Sequence, residues 1–77
     1  MEDDLKSFVC ELAFIDRREL DLDTPLFSAG LIDSVTLLEL ITFVEKQAGI
    51  KVSAGDVSLA NWDSLRKILE YIKRMKP

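Results

Sequence analysis

The chain has no histidine and a single cysteine, Cys10, and these two shortages remove whole classes of chemistry. Without histidine there is no side chain that ordinarily titrates near neutrality, and no Cys-His or Ser-His pairing to activate a nucleophile. One cysteine cannot close an internal disulfide, and a zinc site without histidine needs an unusual ligand set. Glycine is scarce as well: three residues, none in the spacing of a phosphate-binding loop. No apolar run approaches the ~20 residues of a membrane span. The start, Glu2-Asp3-Asp4-Leu5, is acidic where a secretory signal carries positive charge. The expectation is a soluble cytoplasmic protein with no metal site and no membrane contact. A lone cysteine suits a reducing compartment.

What remains is an apolar fraction of 48% in 77 residues, enough for one domain over residues 1–77, stabilised by packing alone. Charge is unevenly spread. Residues 1–45 hold eleven acids and three bases, a net −8, and residues 46–77 hold seven bases and three acids, a net +4. An acidic front favours basic protein partners over nucleic acid. The basic tail has too few interleaved aromatics to stack bases, and reads as a solvated helix face.

Periodicity places the helices. Leu5, Phe8, Val9 and Leu12 recur at i, i+3, i+4 and i+7, which predicts a helix from about 3 to 14, with Asp3 and Asp4 complementing its dipole. Residues 16–33 form a long connection marked by Asp23-Thr24-Pro25 and Ser28-Ala29-Gly30. Its Leu20, Leu22, Leu26, Phe27, Leu31 and Ile32 are too apolar for a free loop, so it should pack along the core with at most a short helical turn. A second helix opens at Asp33-Ser34, carries a stripe of Leu37, Leu40, Ile41 and Val44, and stops at Ala48-Gly49. Residues 50–61 leave room for one short irregular helix. The last helix starts near Trp62-Asp63-Ser64, with Asp63 or Ser64 as its cap. Its stripe is Leu65, Ile68, Leu69, Ile72 and Met75, and Lys73, Arg74 and Lys76 lie at its negative end. The fold class is all-α: a small four-helix bundle of three main helices and one short one.

The segment Gly30-Leu31-Ile32-Asp33-Ser34-Val35 resembles the attachment site of acyl and peptidyl carrier proteins, where an Asp-Ser pair and a bulky apolar residue open the second helix. The resemblance covers nearly the whole chain, including Asp23-Thr24-Pro25-Leu26-Phe27 and Asn61-Trp62-Asp63-Ser64. It implies that Ser34 carries 4'-phosphopantetheine, and that Asp33 helps position the transferring enzyme's metal and the coenzyme A phosphate. The implied partners are a phosphopantetheinyl transferase, an acyl- or aminoacyl-loading ligase or transferase, and downstream biosynthetic enzymes. Such a carrier is no enzyme and works as a monomer. Physics agrees with the placement: a phosphodiester in the first turn of a helix meets unpaired N–H groups and the positive end of the dipole.

The second helix is broader in its apolar surface than one buried stripe needs. Val35, Leu38 and Thr42 lie beside Glu39 and Glu45, and with Asp33 they form the expected partner surface. Val35 replaces the commoner Leu or Met, and Lys46 and the basic last helix depart from fatty-acid carriers. The expected order is therefore polyketide or nonribosomal-peptide biosynthesis, then D-alanine transfer, then fatty-acid synthesis. A helical adaptor without a prosthetic group is the rival from another class, and a small enzyme is a remote third. Cys10 reads as a small core residue, and Trp62 as a packing residue that fixes the approach to the last helix.

Overall fold

The computed structural model describes residues 1–76. Its first helix, α1 (Glu2–Ala13), begins with Glu2, Asp3 and Asp4 against its positive end and buries Leu5, Val9 and Cys10. The helix ends one residue earlier than its periodicity predicts, because Phe14 takes a left-handed conformation (φ 56°). There the Phe14 N–H and the Ile15 N–H both donate to the Cys10 carbonyl, which turns Ile15 toward the core. Phe14 itself is 94% exposed. A bulky L-residue in this conformation is strained and here gains no burial in return. Phe14→Gly is therefore expected to stabilise the protein by about 0.5–1 kcal/mol. Thermal unfolding checks it, and an unchanged or lower Tm overturns the argument.

The connection that follows is pinned along its length. A single 3-10 turn, Arg17–Glu19, is closed by a capping box between Asp16 and Glu19. Arg17 reaches back to Asp3 and Ser7 of α1. Leu20, Leu26 and Ile32 are buried in the same core as Leu5 and Val9. The connection thus supplies core side chains, as its apolar content requires.

The second helix, α2 (Ser34–Ala48), buries Leu40, Val44 and Ala48, while Leu37 and Ile41 are half-buried. Phe43 stacks on Phe8 of α1, with ring centroids 4.2 Å apart. Gly49 ends α2 at φ 67°, a conformation glycine adopts without steric cost. The Glu45 carboxylate turns back to accept the Val52 N–H at 2.8 Å.

A 3-10 turn, Ala54–Asp56, leads to the short α3 (Leu59–Trp62) and then to α4 (Leu65–Met75). The cap of α4 is Ser64, whose hydroxyl accepts the Lys67 N–H at 3.1 Å. Trp62 belongs to α3 and is buried, its indole N–H donating to the Asp56 carbonyl. On α4, Leu65, Ile68, Tyr71 and Ile72 are buried, whereas Met75 is exposed and falls off the stripe. Lys73, Arg74 and Lys76 are exposed at its negative end. Among the described residues, no helix is long and apolar enough to cross a membrane.

Candidate functional site

Ser34 is the first residue of α2, and its position follows from the residue before it. Asp33 is extended (ψ −179°), and its Oδ1 accepts the N–H groups of Val35 at 3.1 Å and Thr36 at 2.9 Å. Thr36 Oγ1 in turn accepts the Asp33 N–H at 3.0 Å, completing a reciprocal cap. The Thr36 N–H, with its hydroxyl and the Val35 N–H, holds the Asp33 carboxyl below the usual carboxylate range, so the cap is ionised at neutral pH. These contacts leave the Ser34 side chain in the open. The first N–H groups of a helix lack intrahelical acceptors, and the dipole there favours an anion.

Beside Ser34 lies an open cleft of about 460 Å³. Phe27 and Ile32 from the connection, Leu37 from α2, and Val57, Leu59 and Trp62 from the α3 region form its apolar walls. A hydroxyl on a dipole-favoured helix start, open to solvent and bordered by an apolar cleft, suits the anchorage of a flexible phosphodiester arm. The site has an acceptor for such a group but no activating base, so the chemistry of attachment falls to another enzyme.

Val35, Leu38, Glu39 and Thr42 are exposed, and their i, i+3, i+4, i+7 spacing puts them on one face of α2. Val35 is 71% and Leu38 66% exposed. The Thr42 hydroxyl is turned inward along the helix, donating to the Leu38 carbonyl at 3.0 Å. Glu45 stands apart from this group: it is half-buried and engaged with Val52. Leu59 and Val57, also exposed, extend the apolar surface across the cleft mouth. Sequence reasoning missed these two. The signal was there in an apolar pair within a segment too short to bury both.

Asp63 was also missed. Two adjacent candidates, Asp63 and Ser64, compete for one capping position; Ser64 takes it and leaves a carboxylate free. That carboxylate accepts the Phe27 N–H at 2.7 Å, the Ser28 N–H at 3.0 Å and the Ser28 hydroxyl. Burial pushes the Asp63 pKa up, but the Ser28 hydroxyl and N–H and the Phe27 N–H outweigh it, and the net shift is downward. Cys10, in contrast, is a buried thiol pushed up by desolvation, and has no part in the site.

A small helical bundle that presents a serine this way defines a non-catalytic carrier on which other enzymes act. The chain belongs to the family described as "Phosphopantetheine attachment site", whose model matches residues 3–72, and the group is held covalently on serine. Its relatives fall within the acyl and D-alanyl carrier proteins. It is similar to the "D-alanyl carrier protein" of Streptococcus sanguinis (strain SK36), 29% identical over 76 residues, 95% of this chain and 96% of that protein. That of Streptococcus uberis (strain ATCC BAA-854 / 0140J) is 35% identical over 54 residues, covering 70% and 68%. The "Probable acyl carrier protein PigG" of Serratia sp. (strain ATCC 39006) is 25% identical over 57 residues, covering 74% and 66%. A solved structure described as "Crystal structure of FAD-dependent dehydrogenase" contains a chain of the same fold, with a TM-score of 0.78 over 88% of this chain and 97% of that one. At 22% identity this likeness concerns the fold alone.

Proposed function

We propose that Ser34 is the attachment point of 4'-phosphopantetheine and that the chain shuttles an acyl or aminoacyl thioester between enzymes of polyketide or nonribosomal-peptide biosynthesis. The observation that carries the attachment point is the exposed Ser34 hydroxyl in the first turn of α2, behind an ionised Asp33 cap and at the mouth of the apolar cleft. When bound, the arm supplies a terminal thiol. The protein's own residues orient the anchor and offer a surface to partners. Tethering raises the effective concentration of cargo at whichever enzyme is docked, and small transient interfaces suit a monomer that visits several. A cytoplasmic setting is supported by the lone, buried thiol of Cys10.

Intact mass after incubation with coenzyme A and a broad-specificity phosphopantetheinyl transferase tests the anchor. Ser34→Ala is expected to abolish the mass gain. A variant that still gains the arm overturns the assignment, and a wild type that never gains it favours the adaptor reading.

D-alanine transfer is the second reading, favoured by D-alanyl carrier relatives that match 95% of the chain. Loading the arm-bearing protein with D-alanine, ATP and a D-alanine–carrier ligase separates the two. Efficient loading there would displace the first reading.

Partner docking is assigned to the α2 face, with Val35, Leu38 and Thr42 as its contact surface. Asp33, Glu39 and Glu45 contribute its negative charge, and Glu39 is the one of these whose carboxylate is not committed to a cap or to Val52. Glu39→Lys is expected to slow loading by the cognate enzyme several-fold, in a salt-dependent way. Stability should change by no more than about 0.5 kcal/mol. Lys73→Glu on α4 is the control. If it harms loading more than Glu39→Lys does, the docking surface is elsewhere.

A further inference from the structure

Three consecutive residues of the connection converge on one residue far along the chain. The Leu26 N–H donates to the Asp63 carbonyl at 2.8 Å, and the Phe27 N–H, Ser28 N–H and Ser28 hydroxyl all donate to its carboxylate. Asp63 is only 8% exposed, and every ion pair among the described residues lies elsewhere, on Arg17, Arg18 and Arg66. A buried carboxylate is costly unless it is hydrogen-bonded, so this one holds its donors firmly.

The bonding continues from there to the attachment site. The Leu26 carbonyl accepts the Leu31 N–H at 2.9 Å and the Ile32 N–H at 3.0 Å. Gly30 closes the turn between them, its N–H donating to the Phe27 carbonyl at 3.1 Å. Ile32 is buried, and the next two residues are the Asp33 cap and Ser34. An unbroken hydrogen-bonded path therefore runs from Asp63 through Leu26 to the turn that presents the hydroxyl. Phe27, held directly by Asp63, and Trp62, its neighbour in sequence, both wall the cleft beside Ser34.

We propose that Asp63 is a positioning residue for arm transfer: it fixes the Leu26–Ile32 segment so that the transferase meets Ser34 on a preformed surface. This rests on Ser34 being the anchor. A surface that must first be ordered is bound more weakly, so loss of the clamp raises KM for the carrier, while the chemical step, supplied by the transferase, keeps its kcat.

The test measures modification of the full chain by a broad-specificity transferase with coenzyme A, below the melting transition of each variant. Asp63→Ala is expected to raise KM for the carrier roughly tenfold with little change in kcat. Asp63→Asn keeps an acceptor for the two N–H groups and should recover most of the loss. Ser28→Ala, which removes only the hydroxyl contact and spares the fold, should raise KM roughly two- to threefold. Amide hydrogen exchange is the independent readout: Phe27, Ser28 and Ile32 should exchange faster in Asp63→Ala while the α1 and α4 amides keep their protection. Wild-type KM in Asp63→Ala and Ser28→Ala overturns the proposal, as does exchange that accelerates equally in all helices. If wild type gains no arm at all, the anchor assignment has failed instead, and the two failures are distinct.

Discussion

Trp62→Ala is expected to destabilise the protein by about 3–5 kcal/mol, the usual range for an aromatic deleted from a core. The indole is 1% exposed, lies 5.7 Å from the Tyr71 ring between centroids, and donates to the Asp56 carbonyl at 3.0 Å. A chain of this length has a total stability of only about 4–12 kcal/mol, so the variant loses much of it or all of it. Trp62→Phe should lose less than half as much, because it keeps a ring in the site. The Asp56 carbonyl also keeps its contact with Asn61 Nδ2 at 3.0 Å. Denaturation followed by circular dichroism is the right measurement, since the sequence has one Trp and its removal abolishes the usual fluorescence signal. A loss below about 1 kcal/mol would mean that the site collapses around the missing ring, contrary to close packing.

The second large effect is acid lability. Asp63 has a folded pKa below its ordinary value of 3.8, despite the desolvation that opposes ionisation. A depressed folded pKa means the group stabilises the native state fully above its unfolded value and loses that contribution as pH falls through the folded one. Stability should therefore be level on the neutral side and fall below about pH 4. Asp63→Asn should be less stable at neutral pH by about 2 kcal/mol, reflecting the lost charge-assisted bonds. Its acid limb should also be shallower. Asp16, Asp23 and Asp33 are shifted the same way, but they are exposed, and such groups contribute little through solvent-screened contacts. Urea unfolding at several pH values decides the matter. Parallel acid limbs for wild type and variant would assign the lability to those other carboxylates.

The features that rest on local chemistry were legible in the residues. The stripes of α1, α2 and α4, the Asp33 cap and the Gly49 stop depend on neighbours within four positions, which a linear reading sees directly. Leu26 and Ile32 could be assigned to the core on hydropathy alone. What escaped has longer range or depends on turn geometry. The partners of Asp63 lie 35 and 36 positions away, and nothing near Asp63 announces them. Glu45 looked like a free surface charge until the chain doubled back to present Val52. Phe14 fits a helical ending by propensity, and its left-handed turn follows from the need to bring Ile15 inward. Met75 sits at the stripe's spacing but past the end of the surface that the bundle covers.

The three buried residues of the connection, Leu20, Leu26 and Ile32, stand six positions apart. Six residues reach at most about 20 Å even when fully extended. Neither interval is fully extended, and each takes its span from a hydrogen-bonded turn: the Thr24 N–H donates to the Asp21 carbonyl at 3.3 Å in the first, and the Leu31 and Ile32 N–H groups donate to the Leu26 carbonyl in the second. The segment works as a ruler. Exchanging the exposed Asp21 for another polar residue leaves its marks where they are. Removing one residue between Leu20 and Leu26 shortens an interval, so that either an anchor leaves the core or the start of α2 is dragged out of line. Loops of this length in other proteins are commonly where length varies freely. Here the number of residues is itself part of how the serine is delivered to its place.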